Sequence, residues 1–230
     1  MLGQPHITSF SDNILQVTDI DQSVSHDEAT ITKVPVGDLG NNAYVFCDNT
    51  SGVTLLVDAA FDVDTLTSAA PTAQLVVTTH CHIDHWMALE EFVNRTQATT
   101  FAHVGEADRI PVPTDVILEQ GSMVAVGNSA LDVVTLRGHR WALDDHVCSS
   151  VALVYRNPSG PWVVFTGDGL FPGGVGNTCE DPEAFAALLA DVETNIFSLP
   201  DDTIVHPGHG ESTTVGQQRP QVAQWKERGW

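Results

Sequence analysis

The 230 residues, 42% of them hydrophobic and 17% charged, suffice for a sizeable core and fall within the size of one domain, which excludes a disordered chain. Acidic residues outnumber Lys and Arg by 30 to 9, and a net charge of -21 leaves no clustered basic face, so neither nucleic acid nor an anionic membrane is expected as a partner. No apolar run approaches the ~20 residues of a membrane span, and residues 1–6 lack the basic and apolar regions of a secretion signal, so a cytoplasmic location is expected.

In chain order, β-branched and apolar runs predict strands at residues 43–46, 53–57, 74–78, 131–136, 151–155, 162–166 and 203–205. One helix is expected to follow His85, through Met87, Leu89 and Phe92. A second is expected over 181–193, with Asp181 as N-cap, Pro182 at the first helical position and a stripe of Phe185, Leu188, Leu189 and Val192. Strands and helices mixed in this way imply a layered α/β protein, and the lack of repeats or linkers implies one domain over 1–230. Cys47, Cys81, Cys148 and Cys179 form no CxxC pair and are read as free thiols.

Five predicted strands end in a residue of unusual chemistry: Asp58, His80, His139, Asp168 and His209. Loops held at strand ends are where sites are built, so this pattern asks for one shared site. The sharpest signal is Thr79-His80-Cys81-His82-Ile83-Asp84-His85, whose imidazoles and carboxylate are a ligand set for zinc, iron or manganese. Alternation along an extended turn puts His80 and His82 on one side, and tightening at Asp84 and His85 reaches a second position. Two metals can be served in this way, with His139, Asp168 and His209 as the remaining candidates. Asp168, between Gly167 and Gly169, has two oxygens and the slim surroundings to bridge them.

Cys81 should point the opposite way, as a buried thiol. His6, His26, His103 and His206 are read as surface or hydrogen-bonded histidines. The segment 171–178 lacks the Lys-Ser/Thr of a phosphate-binding P-loop and is read as a flexible wall of the cleft; residues 210–216 are expected to form a similar wall with hydroxyls facing the substrate.

Taken together, the motifs Thr-His-Cys-His-Ile-Asp-His at 79–85, Arg-Gly-His at 137–139, Thr-Gly-Asp at 166–168 and Pro-Gly-His-Gly at 207–210 resemble the metallo-β-lactamase superfamily, in its glyoxalase II-like branch. They occur in that family's order, over a motif core of about 41–216. The resemblance implies a four-layer αββα sandwich with metals in a cleft at one edge of its two sheets. It implies a first metal on His80, His82 and His139, a second on Asp84, His85 and His209, Asp168 between them, and Asp58 orienting a ligand or capping a turn. Zinc, two per chain, is the expected cofactor, with iron or manganese as alternatives.

The chain departs from the family pattern after His139, where about seven extra residues bring in His146. The preceding Leu-Arg-Gly favours His139 and counting back from the next strand favours His146; the reading adopted is His139. A bound metal lowers the pKa of water from about 15.7 to about 7 and polarises the substrate oxygen, with Asp84 and Asp168 expected to hold the nucleophile and take up its proton. The expected activity is hydrolysis of an ester, thioester, lactone or related bond of a small molecule. No Gly-x-Ser-x-Gly nucleophile competes. The alternative from another class is a mononuclear iron sulfur dioxygenase acting on persulfide with part of the same ligand set.

Overall fold

The structure is a computed structural model describing residues 24–25, 27–143 and 145–229; His6 and His26 lie outside the described residues. The first sheet runs β1 (Val24–Ser25), β2 (Ala29–Val36), β3 (Asn41–Asp48), β4 (Thr54–Val57), β5 (Leu75–Val77), β6 (Thr99–His103) and β7 (Val116–Leu118), adjacent in that order. The second is built from β8 (Met123–Val126), β9 (Ser129–Arg140), β10 (Val147–Tyr155) and β11 (Val163–Gly167). A ribbon of β12 (Leu170–Phe171) and β13 (Gly174–Val175) intervenes before β14 (Ile204–Pro207) and β15 (Thr213–Thr214) complete the second sheet in the order β15-β14-β11-β10-β9-β8. Both sheets are mixed, with β4 to β7 parallel to one another and β11 parallel to β14.

Side chains alternate across a strand, and here the alternation builds three cores. Tyr44, Phe46, Leu55 and Val57 of the first sheet meet Leu131, Val133, Val151, Leu153 and Phe165 of the second in a central layer. The intervening Ala43, Val45 and Leu56 face outward onto α1 (Val63–Ala69) and α2 (Leu89–Thr96), through Leu66, Leu89 and Phe92. On the far side Ala152, Val154 and Val164 receive Phe185, Leu188 and Leu189 of α3 (Pro182–Asp191), together with Trp225. Strands buried on both faces read as continuous apolar runs, and each of the seven predicted segments lies in or overlaps a strand. The result is an αββα sandwich. Phe165 is fully buried in the central layer, where truncation to Ala would cost about 3–5 kcal/mol.

Asp181 caps α3 as expected, accepting from the Glu183 and Ala184 amides at 2.9 and 3.1 Å. Beyond α3, α4 (Val215–Gln218) and α5 (Val222–Arg228) close the chain over the second sheet. The helix expected directly after His85 starts later. Residues 83–85 form a single 3-10 turn, and α2 begins at Leu89, leaving Met87 outside it and 51% exposed. Tertiary bonds hold this stretch out of helical register: His85 is tied to Asp58, the Trp86 indole donates to the Cys81 carbonyl at 2.7 Å, and the Ala88 amide donates to the Ala59 carbonyl at 3.0 Å.

The sheets are stitched at one edge. The Tyr44 hydroxyl donates to the Pro207 carbonyl at 2.7 Å and the Val151 amide to Thr79 at 2.9 Å, and within the second sheet the Gly208 amide donates to Gly167 at 2.8 Å. These bonds, with the Thr79 amide donating to Asp58 Oδ1 at 2.7 Å, fix the loops after β4, β5, β11 and β14 against one another. They converge on the predicted site.

Candidate metal centre

Each of the five histidines at this edge has one ring nitrogen anchored to the protein and the other turned to a common point. His80 Nδ1 lies 3.1 Å from Thr79 Oγ1, and that hydroxyl donates to Asp58 at 2.8 Å, so Nδ1 carries the proton and Nε2 the lone pair. His139 Nδ1 donates to the Asn177 carbonyl at 2.9 Å and His209 Nδ1 to the Leu39 carbonyl at 3.2 Å. His85 Nδ1 donates to Asp58 Oδ2 at 2.8 Å. His82 is reversed: its Nε2 sits 3.4 Å from Cys148 Sγ, and its Nδ1 faces inward.

The inward nitrogens crowd together. His80 Nε2 and His139 Nε2 lie 3.0 and 3.1 Å from His82 Nδ1. With the outer nitrogens protonated, these contacts set lone pairs against one another, an arrangement that a cation held by the three nitrogens would stabilise. His85 Nε2 and Asp168 Oδ1 are buried with no hydrogen-bond partner. Leaving such atoms unpaired is costly. Asp168 spans the two halves, its Oδ1 3.4 Å from His85 Nε2 and its Oδ2 3.5 Å from both His139 Nε2 and His209 Nε2. Asp84 Oδ2 stands 3.3 Å from His209 Nε2 and 4.0 Å from His85 Nε2. His80-His82-His139 and Asp84-His85-His209 are thus two triads whose donor sets fit a metal each, with Asp168 within reach of both.

The electrostatics agree. Burial, reinforced by the neighbouring imidazoles, drives His80 well below the usual histidine range, and burial with His139 beside it brings His82 to about 4. Burial also lowers His139, so this triad stays neutral and able to coordinate. Burial opposes ionisation of Asp168, but His85 and the other imidazoles hold it down at about 2. For His85 burial is likewise outweighed, here by Asp168 and Asp58, which raise it well above its ordinary value, so a metal binding there has to displace the proton from Nε2.

Backbone geometry places these groups. Asp58 adopts φ of 59°, which Asp tolerates better than most residues, and its carboxylate also accepts the Thr79 amide at 2.7 Å. Gly138 has φ of +129°, and a Cβ there would lie 2.2 Å from the Ala184 carbonyl, so only glycine lets α3 close against β9 just before His139.

His139 joins the cluster, whereas His146 sits elsewhere, 3.0 Å from Glu106 Oε1. Cys81 turns away from the histidines, as its alternation requires, and all four cysteines are free. His103 and His206 are hydrogen-bonded, to Thr135 Oγ1 at 3.2 Å and Ser212 Oγ at 2.8 Å. The segment after Asp168 forms the β12–β13 ribbon and brings Asn177 to the cleft wall. The expected hydroxyl wall at 210–216 is not formed: Ser212 is turned inward to His206, Thr213 Oγ1 donates to Gln217 at 2.8 Å, and both are buried. Pairing of β15 with β14 turns these side chains into the protein. Asn41 is a site residue that the sequence reading did not assign, with Nδ2 donating to the Asp84 carbonyl at 3.0 Å and to Asp84 Oδ2 at 3.2 Å.

The profile of the metallo-beta-lactamase superfamily matches residues 36–209. The chain belongs to the metallo-β-lactamase superfamily. A hydroxyacylglutathione hydrolase of Fuscovulum blasticum is 30% identical over 174 residues, covering 74% of this chain and 62% of that relative. Among solved structures, ETHE1 from Myxococcus xanthus superposes with a TM-score of 0.70 at 25% identity, covering 84% of each chain. TTHA1623 in a di-iron-bound form superposes with a TM-score of 0.64 at 29% identity, covering 81% of this chain and 96% of that one. The superfamily assignment and the His/Asp clusters make this a candidate metalloprotein at the edge of its two sheets, and no helix among the described residues is long and apolar enough to cross a membrane.

Proposed function

We propose that the protein is a dinuclear metal-dependent hydrolase that cleaves an ester, thioester or lactone of a small apolar acyl compound. The observation that carries this reading is the Asp168 carboxylate, whose two oxygens reach imidazoles of both triads. In this reading His80, His82 and His139 hold one ion, Asp84, His85 and His209 the other, and zinc is the metal, two per centre. Such ions, when bound, supply a nucleophile at neutral pH and polarise the scissile carbonyl.

The chain's own residues do the rest. Asp58 and Thr79 fix the tautomers of His85 and His80, so that neither ring needs to reorganise. Asp84, whose side chain is 21% exposed against 12% for Asp168, is the carboxylate nearer solvent and the one better placed to pass a proton out of the site. Asn41 holds Asp84 in that orientation. The cleft of about 260 Å³ is walled by Leu39, Phe61, Ile83, Met87 and Trp141, an apolar lip suited to an acyl group. Arg140 lines it too, but its guanidinium is paired with Asp181 at 2.7 Å, which disfavours a strongly anionic thiol such as glutathione as the leaving part.

A panel of short- and medium-chain acyl thioesters, acyl lactones and phosphodiesters tests the reading. Metal-dependent turnover of the acyl substrates supports it, and turnover confined to phosphodiesters overturns it. A second reading rests on His80, His85 and Asp168, a two-histidine, one-carboxylate set of the kind that holds non-haem iron. Under that reading the protein is an iron sulfur dioxygenase, and persulfide-dependent oxygen uptake replaces hydrolysis.

A further inference from the structure

Behind His82, on the side away from the centre, a second group of donors converges. Cys81 Sγ, Cys148 Sγ, a Glu106 carboxylate oxygen and a His146 ring nitrogen all lie within 4.8 Å of one another. They come from four places in the chain: the loop after β5, the turn after β6, the segment before β10, and β10 itself. Cys81, Glu106 and Cys148 are buried, and His146 closes the group from a half-buried position.

Glu106 is held as a preorganised donor. Its Oε2 accepts the Cys81 amide at 3.0 Å and its Oε1 the Ser149 amide at 2.7 Å, so two backbone groups fix the carboxylate while His146 Nε2 stands 3.0 Å away. Glu106 has no exposed surface, and its carboxylate is compensated by the two amides and by His146, while the two neighbouring thiols bring sulfur donors but no positive charge. Two sulfurs, one imidazole nitrogen and one carboxylate oxygen number four, the coordination number of a closed structural zinc site.

We propose that Cys81, Glu106, His146 and Cys148 bind a single zinc-class divalent cation, as a mononuclear site separate from the His/Asp centre. Both thiols give up their protons on binding, and the cation neutralises two of the three negative charges then gathered there. Cys148 Sγ lies 3.4 Å from His82 Nε2. A thiolate there accepts the His82 Nε2 proton and so fixes Nδ1 as the inward lone pair, doing for His82 what Asp58 does for His85. Residues inserted after His139, which place His146 on Glu106, thereby acquire a role.

The centre contains no sulfur donor, so cobalt(II) distinguishes the two sites. Protein purified under reducing conditions, stripped with chelator and reloaded with cobalt should show sulfur-to-metal charge-transfer absorption saturating at one site per chain. That band should fall by about half or more in Cys81→Ser and in Cys148→Ser and vanish when both are replaced, while zinc analysis of the double variant should find one ion fewer than in wild type. His146→Ala leaves the buried cysteines in place and guards against misfolding of the cysteine variants. It should raise the cobalt concentration for half-saturation of the band at least about tenfold, as loss of even an outer partner does. Absence of the band in folded, cobalt-loaded wild type would overturn the proposal, as would a band unchanged in His146→Ala. Thiol counting that finds Cys81 and Cys148 joined as a disulfide in the reduced preparation would overturn it as well. None of these outcomes depends on hydrolase activity.

Discussion

Asp58 Oδ2 accepts the Nδ1 proton of His85 at 2.8 Å while its Oδ1 accepts the Thr79 amide at 2.7 Å, so one buried carboxylate fixes both the tautomer of His85 and the turn that carries His80. Asp58→Asn keeps the shape but not the pattern. Its oxygen must face the Thr79 amide, which turns its NH2 group on His85 Nδ1 and moves the ring proton to Nε2, toward the centre. The same NH2 group faces the Thr79 hydroxyl, which loses the acceptor that lets it hold the His80 Nδ1 proton, so titration of the stripped variant should show about 10–100-fold weaker binding of metal at both triads. Equal affinity in variant and wild type would remove this role from Asp58.

Asp168→Ala removes the group that reaches both triads. Hydrolysis should fall by about 100-fold or more and second-metal occupancy should drop, with the fold retained by circular dichroism. Near-normal turnover would displace the reacting centre from this position.

His139 and His146 are separable by mutation. His139 Nε2 lies 3.1 Å from His82 Nδ1, and His146 Nε2 lies 3.0 Å from Glu106. His139→Ala should lose the first metal of the centre and nearly all hydrolysis. His146→Ala should keep that metal and with it turnover, any ion lost in zinc analysis being the one that carries the sulfur charge-transfer band. The reverse result would reassign the ligand.

Much of this was legible in the sequence. Strands buried on both faces announce themselves as apolar runs, and His80, His139, Asp168 and His209 are visible because strand ends are punctuated by residues the core would reject. What tertiary structure decides was not. Glu106 is one acid among many in an acidic chain, and only its hydrogen bonds to the Cys81 and Ser149 amides bring it beside the thiols. The inward turn of Ser212 and Thr213 follows from pairing of β15 with β14, and the late start of α2 from bonds made by His85, Trp86 and Ala88. Local pattern carries none of those partners.

Gly208 gives a steric test of the centre. A Cβ there would lie 2.3 Å from Asp168 Oδ1 and 2.7 Å from His85 Cε1. Gly208→Ala should displace both and weaken metal binding about tenfold or more while the sheets persist. Unchanged metal affinity would mean that the loop yields without moving either group.

Asp48 tests the link between the sheets by pH. Its carboxylate accepts from the Ser51 amide and hydroxyl at 2.8 and 2.7 Å and from Ser129 of β9 at 2.8 Å, and these bonds, those from Ser51 foremost, lower it from 3.8 to about 2. A carboxyl depressed on folding stabilises above its unfolded pKa, and that stabilisation is lost as pH falls from about 4 toward 2. Urea midpoints of wild type and Asp48→Asn should therefore differ by a constant amount above pH ~5 and converge toward pH ~2. A gap that persists in acid would remove ionisation of Asp48 as its source.

The most direct test of the central claim is acyl-thioester turnover by chelator-stripped protein as zinc is restored, with oxygen uptake on persulfide measured in parallel after iron loading. The account predicts no hydrolysis by the stripped protein, recovery as zinc fills the His/Asp centre, and no recovery in Asp168→Ala. Hydrolysis that survives complete metal removal, or persulfide-dependent oxygen uptake with no thioester turnover under any metal, would contradict it.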